Sequence, residues 1–96
     1  MIIAVSYDVR KNKNRTRIFK QCTYFGLTHL QESLFVGYIS EDSLKLLQQR
    51  LRDIPDPETD SLIIFSLSRR SISGAQCLCG ALVAKMLLQE QILWVA

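Results

Sequence analysis

The sequence opens on an apolar segment that ends in one carboxylate, IIAVSYD at residues 2–8, followed by the basic segment VRKNKNRTRIFKQCTYF at residues 9–25. The apolar run over residues 2–9 has the length of a β-strand. Neighbouring strand residues point to opposite faces, so one face carries bulky side chains that suit a covering helix. These bulky side chains are Ile3, Val5 and Tyr7. The other face carries small residues and ends in Asp8, and it suits close contact with another backbone, such as a second copy of the chain.

Half of the twelve Lys and Arg side chains follow this strand at once. They are Arg10, Lys11, Lys13, Arg15, Arg17 and Lys20. Residues 1–31 carry six positive charges and one negative charge, whereas residues 32–60 carry three positive and seven negative charges. This asymmetry predicts a one-sided basic surface, for which nucleic acid is the commonest partner. A carboxylate beside such a segment suits a divalent ion near a phosphate backbone, although Asp8 taken alone is more typical of a residue that caps a turn.

Length and composition place the chain among small folded proteins. Its 96 residues predict a single domain over residues 1–96, and 48% hydrophobic with 22% charged residues is the composition of a globular chain. Three cysteines and one histidine, His29, do not form a metal-ligand pattern, so we expect structural cysteines and a cytoplasmic protein. The apolar opening does not have the order of a signal peptide. Residues 81–96 are too short and too polar to span a membrane.

A first helix and a second strand follow the opening strand. Asn12 or Asn14 is expected to cap the helix, and Gly26 is expected to end it. The apolar positions at helical spacing are Ile18, Phe19, Cys22 and Phe25. The second strand is predicted over residues 29–39, where Gly37 permits a bulge or a close approach.

A second helix, which starts after Ser40, is the clearest element of the pattern. Glu41 and Asp42 lie in its first turn, and two prolines end it, Pro55 and Pro57. Its buried stripe consists of Leu44, Leu47, Leu51 and Ile54. We expect this stripe to pack on the same sheet face as the first helix.

The last third of the chain predicts further strands. Residues 62–67 form an apolar run without alternation, which indicates a strand covered on both faces. A polar, basic turn is expected over residues 68–74, and a short strand over residues 75–80. Residues 81–89 fit a helix or a strand, and residues 92–95 are typical of a terminal strand.

This order predicts an α+β fold, a ferredoxin-like βαββαβ sandwich with an extra C-terminal strand. Two helices cover one sheet face in that architecture. The apolar content of the strands indicates that the other face is covered as well, and a homodimer is the economical way to cover it.

Four segments in the same order resemble the CRISPR-associated Cas2 family. They are VSYDV at residues 5–9, the basic helix ending in YFG at residues 24–26, QESLF at residues 31–35 and DSLIIFSL at residues 60–67. EQILWV at residues 90–95 is also similar to the last strand of that family, which crosses to the sheet of the partner subunit. The resemblance covers almost the whole chain.

The resemblance implies a ferredoxin-like homodimer that acts with the integrase Cas1 in capturing new spacers from double-stranded DNA. It also implies a magnesium-dependent endonuclease in some members, acting on RNA or DNA, with Asp8 as the metal-binding and catalytic residue. The residues that would bind nucleic acid are Arg10, Lys11, Lys13, Arg15 and Arg17. Single-stranded RNA is the alternative substrate.

One chain offers one well-placed carboxylate, so two-fold symmetry would have to supply the second ligand of a magnesium ion. A slow nuclease and a DNA-binding scaffold with an incidental metal site are equally consistent with so sparse a site. Two other classes stay open: a toxin-like ribonuclease similar to the virulence-associated protein D family, and a ferredoxin-like regulatory module that binds a ligand or a protein.

Overall fold

The computed structural model describes residues 1–76, 78 and 79. Its elements in chain order are β1 (Ile2–Asp8), α1 (Asn12–Tyr24), β2 (Thr28–Gln31), β3 (Leu34–Tyr38), α2 (Glu41–Arg52), β4 (Ser61–Leu67) and α3 (Arg69–Ser73). The four strands form one sheet in the order β2-β3-β1-β4, and every neighbouring pair is antiparallel. The predicted α+β fold with the βαββαβ order is therefore confirmed. The predicted terminal strand at residues 92–95, the segment 81–89 and Cys77 lie outside the described residues.

The strand β1 is central, and its two faces have different neighbours. Its bulky face, Ile3, Val5 and Tyr7, belongs to the main core with side chains of α1 and α2, as the alternation predicted. The largest fully buried members of this core from the helices are Ile18, Cys22, Leu47 and Leu51. The main core therefore lies between the helices and one face of the sheet.

The first helix begins differently from the prediction. Lys11 is its N-cap residue, with extended backbone and no capping hydrogen bond from its side chain, and Asn12 is already helical. The expectation that Asn12 or Asn14 caps the helix was wrong, because the chain turns one residue earlier, directly after the β1–α1 loop. Gly26 has a φ of +82°, the left-handed conformation in which glycine ends a helix without strain, so the predicted end is confirmed.

The single strand predicted over residues 29–39 is in fact a hairpin, β2 and β3, joined at Glu32 and Ser33. Ser33 adopts a φ of 65°, and its carbonyl oxygen accepts a hydrogen bond from the backbone N–H of Tyr7 at 3.1 Å. Contact with the central strand therefore holds a turn conformation that serine seldom adopts. Gly37 makes the predicted close approach, since a Cβ there would lie 2.9 Å from Cδ2 of Leu27.

The second helix agrees with its prediction. The hydroxyl oxygen of Ser40 accepts a hydrogen bond from the backbone N–H of Ser43 at 3.2 Å, and Glu41 and Asp42 lie in the first turn. Leu47, Leu51 and Ile54 are buried in the main core. This helix therefore packs beside α1 on the same face of the sheet.

Among the described residues of one chain, the second sheet face is only partly covered along β4, and its expected cover by a second copy of the chain stays a prediction. Ile63 and Phe65 of β4 are each 49% exposed, although Leu62 and Ile64 on the other face pack against the main core. The predicted turn over residues 68–74 contains the short helix α3, whose Ile72 packs against a second cluster on this face. That cluster consists of Ile2, Ala4 and Val36.

The strand predicted over residues 75–80 is not formed at its described positions, 75, 76, 78 and 79. Gly74 ends α3, and its N–H donates to the carbonyl oxygen of Arg70 at 3.0 Å, so the chain leaves β4 as a helical turn rather than as a hairpin. No helix in the described ranges combines the length and the apolar composition needed to cross a bilayer.

Candidate functional site

Asp8 is the last residue of β1, and it is exposed. It lies opposite Ser61 in the antiparallel register with β4. Alternation along the strand puts Asp8 on the same face as Ile2 and Ala4, the face that the helices α1 and α2 leave open. The carboxylate therefore stands at one end of an apolar sheet surface, as the sequence indicated.

Arg15 holds the loop that follows Asp8. Its Nη1 donates to the carbonyl oxygens of Val9 and Arg10, both at 2.8 Å, and its Nη2 donates to Oδ1 of Asn12 at 3.3 Å. Three of the five guanidinium N–H groups are thus engaged within the β1–α1 loop and the first helical turn. Arg15 is half-buried and acts first as a brace of this loop, with two donors left for a ligand.

The other predicted nucleic-acid-binding residues lie around the same end of the sheet. Arg10 and Lys11 belong to the loop, and Lys13 and Arg17 belong to the first two turns of α1; all four are exposed. Lys20 follows on the same helix and is also exposed. The structure therefore brings the basic residues and Asp8 together at one end of β1, where the positive end of α1 adds to the attraction for phosphate.

Asp60 braces the loop from the other side, and sequence reasoning did not single it out. Its Oδ1 accepts hydrogen bonds from the backbone N–H of Arg10 at 3.1 Å and from the hydroxyl of Thr59 at 3.2 Å. Its Oδ2 accepts from the backbone N–H of Asp56 at 2.8 Å. These backbone hydrogen bonds, that from Asp56 first, hold the pKa of Asp60 below its ordinary value. The available signal was an aspartate directly before a strand and four residues after another aspartate.

The carboxylates of one chain do not form a complete metal site. Within the described ranges, no three His, Cys, Asp or Glu side chains gather where they could hold an ion. The oxygens of Asp60 already accept backbone and hydroxyl donors. The exposed carboxylates at this end of the sheet include Asp8, at the end of β1, and Glu32, in the β2–β3 turn. Mg²⁺ keeps several waters and binds through one or two carboxylates, so a pair of Asp8 side chains from two chains fits its needs.

Cys22 is a core residue rather than a nucleophile. It is fully buried between α1 and the sheet, and burial raises the pKa of its thiol to about 12. The thiolate is therefore scarce at neutral pH. The expectation of a structural cysteine is confirmed for Cys22.

The comparison with protein families gives a match over most of the chain. Residues 1–74 match the family model described as CRISPR associated protein Cas2. The chain is 33% identical over 75 residues to a Pyrobaculum aerophilum protein named CRISPR-associated endoribonuclease Cas2 2, covering 78% of this chain and 82% of that protein. It is 38% identical over 60 residues to a CRISPR-associated endoribonuclease Cas2 of Desulforudis audaxviator, covering 62% and 57% of the two chains.

Solved structures agree with the fold. The crystal structure of Streptococcus pyogenes Cas2 superposes with a TM-score of 0.74 and 25% identity, covering 82% of this chain and all of that one. A hypothetical protein from Thermus thermophilus superposes with a TM-score of 0.61 and 28% identity, covering 70% of this chain and 80% of the other. These two likenesses support the ferredoxin-like arrangement of the described elements.

The lowered pKa of Asp60 predicts a stability that depends on pH. A carboxylate with a depressed pKa in the folded state stabilises the fold fully above its ordinary value of 3.8 and loses that contribution as the pH falls through the folded value. We expect Asp60→Asn to melt below the wild type at pH 7, and the gap to narrow below about pH 4. Circular dichroism melts across pH 2.5–7 measure this.

Asp53→Asn is the matched control, because it removes an exposed carboxylate from the end of α2. It should melt within about 0.5 kcal/mol of the wild type at pH 7. A gap between Asp60→Asn and the wild type that is the same at pH 3 and pH 7 would contradict the role of the ionised carboxylate.

Proposed function

The chain belongs to the CRISPR-associated protein Cas2 family, and from this premise we propose that it is a homodimeric nucleic-acid-binding protein of CRISPR adaptation with a magnesium-dependent endonuclease site at Asp8. Asp8 carries this proposal, because it is an exposed carboxylate at the end of an exposed apolar sheet face and next to a basic loop. The endoribonuclease names of the relatives support phosphodiester cleavage.

The open sheet face supports the dimer. Tyr38, Ile63 and Phe65 are 49–55% exposed on this face, beside the cluster of Ile2, Ala4 and Val36. Burial of apolar surface is worth about 25 cal/mol per Å², so a second copy that covers these side chains gains free energy from each of them. A two-fold contact uses the same patch on both subunits. We propose that the two-fold axis passes near the end of β1, where it would bring the two Asp8 residues toward one another.

Two Asp8 carboxylates would supply the oxygen ligands that one chain lacks. A bound magnesium ion would polarise a phosphoryl oxygen and lower the pKa of a bound water. The task of Asp8 is to hold the ion at the subunit interface, and that of the β1–α1 loop is to fix the direction of Asp8. Arg15 and Asp60 hold this loop from its two sides.

The exposed basic side chains of the loop and of α1 would bind the phosphate backbone. In a dimer they would form two basic surfaces, one on each side of the Asp8 pair, which suits a duplex that lies across both subunits. We propose double-stranded DNA as the ligand for spacer capture with the integrase Cas1, and single-stranded RNA as the substrate of the cleavage reaction. The cytoplasm is the proposed location, because the genome and the transcripts are there.

Asp8→Asn should abolish magnesium-dependent cleavage. The substitution replaces a charged oxygen ligand by a neutral amide on both subunits, so cleavage of labelled single-stranded RNA should fall at least about 100-fold. Asp53→Asn, purified in parallel, should cleave at the wild-type rate. Magnesium should raise the melting temperature of the wild type and of Asp53→Asn but not that of Asp8→Asn. Equal cleavage by Asp8→Asn and the wild type would remove the proposed metal site.

Phe65→Glu should break the dimer. It places two unpaired carboxylates in a buried interface, which should weaken the association at least about 100-fold, as measured by sedimentation velocity. Leu46→Glu is the matched control, since Leu46 is similarly exposed at 41% but lies on α2. It should leave the dimer intact. A Phe65→Glu protein that stays dimeric at the wild-type dissociation constant would show that this face is not the interface.

Arg17→Ala should weaken DNA binding without a change in stability, whereas Arg15→Ala should lower the stability of the fold. Arg17 is exposed, so its loss should lower the slope of log affinity against log salt by about one per subunit, about two for a duplex across the dimer, and leave the melting temperature unchanged. Arg15→Ala removes the hydrogen bonds to Val9 and Arg10 and should cost about 1–3 kcal/mol of folding free energy. An unchanged salt slope in Arg17→Ala would exclude this helix surface from DNA binding.

A further inference from the structure

A small pocket opens between α1 and the β2–β3 turn, away from the sheet face that carries Asp8. We call it the hairpin pocket. Its volume is about 250 Å³. Its wall includes Tyr7, Arg15, Phe19, His29, Glu32 and Ser33. Pockets for drug-sized ligands measure about 300–1,000 Å³, so the hairpin pocket suits one planar ring system rather than a whole nucleotide.

An exposed aromatic ring stands on the basic helix at this pocket. Phe19 is 41% exposed, although it occupies a position that the helical spacing assigned to the core. Its ring meets that of His29 edge to face at 5.0 Å, and His29 stacks on Phe35 at 4.8 Å. These contacts fix the Phe19 ring while leaving part of it open. Fixed aromatic rings among cationic side chains are the platforms on which unpaired bases stack.

The polar groups of the hairpin pocket are available to a ligand. Hydrogen bonds and ion pairs among the described residues leave the carboxylate of Glu32 unengaged. Burial raises the pKa of Tyr7, and Cys22 and Glu32 raise it further, so its hydroxyl stays protonated. Arg15 keeps two guanidinium donors after bracing the loop. The pocket thus combines a two-oxygen acceptor, a hydroxyl and a cation.

An acidic side chain on a phosphate-binding surface repels the phosphate backbone of a nucleic acid. The part of a nucleic acid that Glu32 can bind favourably is therefore a base. A carboxylate offers two acceptors side by side and pairs best with two adjacent donors. Guanine presents this edge, with N1–H next to the N2 amino group. Adenine and cytosine place an acceptor nitrogen beside their amino group, and uracil places its one N–H between two carbonyl oxygens. The Glu32 carboxylate would repel those acceptors.

We propose that the hairpin pocket receives one unpaired guanine base of a single-stranded nucleic acid. The base stacks on Phe19, its N1–H and N2 amino groups donate to the carboxylate of Glu32, and Arg15 and Tyr7 serve its remaining polar atoms. The inference rests on the proposed nucleic-acid binding by α1. It adds selectivity for one base to a surface that otherwise binds phosphates alone.

The test measures fluorescence anisotropy of the full chain with labelled twelve-nucleotide uridine RNAs that carry one central guanosine, inosine, adenosine or abasic site. EDTA prevents cleavage. We expect guanosine to bind about tenfold more tightly than adenosine, with inosine between them because it lacks the N2 amino group. The same series in DNA separates base recognition, which both sugars would show, from an added contact to the 2′-hydroxyl, which RNA alone would show.

Two variants and one matched control locate the effect. Glu32→Gln should reduce the guanosine preference to less than about twofold, whereas Glu58→Gln, the same change in the exposed loop before β4, should keep it. Phe19→Leu should reduce the advantage of every base over the abasic site by about fivefold or more. A guanosine preference that survives in Glu32→Gln, or wild-type binding equal for all four RNAs, would overturn the pocket while leaving phosphate binding in place. Absence of salt-dependent binding to any RNA or DNA would overturn the proposed function as well.

Discussion

The two backbone ladders of β1 are the constraint on which the rest of this structure depends. This strand pairs with β3 on one side and β4 on the other, so the residues from Ile2 to Ser6 are fixed by partners on both sides. The ladder with β4 continues to Asp8, whose backbone therefore cannot shift along the strand without moving the whole register. The alternation along β1 then assigns Tyr7 to the helix side and Asp8 to the open side. Two consecutive residues of β1 therefore lie on two different surfaces, the face covered by the helices and the open sheet face.

The β1–α1 loop shows how charged residues can serve structure and binding at the same time. Arg15 donates to the carbonyl oxygens of Val9 and Arg10, and Asp60 accepts from the backbone N–H of Arg10. Both side chains compensate backbone groups that the turn leaves without partners in secondary structure. The exposed side chains of Lys13 and Arg17 nearby do not hold the loop in this way, so they remain available to phosphates. A count of basic residues in the sequence does not separate the side chain that holds the loop, Arg15, from the exposed basic side chains. Only the hydrogen bonds of the structure distinguish them.

Much of the fold was predictable because its signals are local. The Ser40 cap, the leucine stripe of α2 and the glycine after α1 each depend on a few neighbouring residues, and all three were confirmed. The β2–β3 hairpin was missed because its turn depends on Ser33 at a positive φ, held by a hydrogen bond from Tyr7 far away in sequence. The pattern of residues 29–39 alone resembles one long strand.

The site was predictable to a similar extent and for the same reason. Asp8 and the basic segment could be identified, because they are contiguous. Asp60 and the hairpin pocket could not, because residues distant in sequence meet there: Asp60 with Arg10, and Glu32 with the α1 residues Arg15 and Phe19. The apolar run of β4 predicted burial of both faces, but Phe65 is half-exposed in one chain. The proposed homodimer would cover this side chain, and a pattern of residues along one chain does not distinguish cover by that chain from cover by a second copy.

The proposed chemistry and the proposed assembly have the same origin in the sheet. A single carboxylate beside a basic loop cannot by itself surround a hard cation, and a single apolar sheet face cannot by itself exclude water. The proposed two-fold pairing on that face would resolve both deficits at once, because the symmetry that would bury Phe65 would also double the ligand supplied by Asp8. Without metal, two facing carboxylates oppose the pairing that the apolar side chains favour. A divalent cation would remove this repulsion, so metal binding and dimer stability are thermodynamically linked in this arrangement, and each favours the other to the same degree.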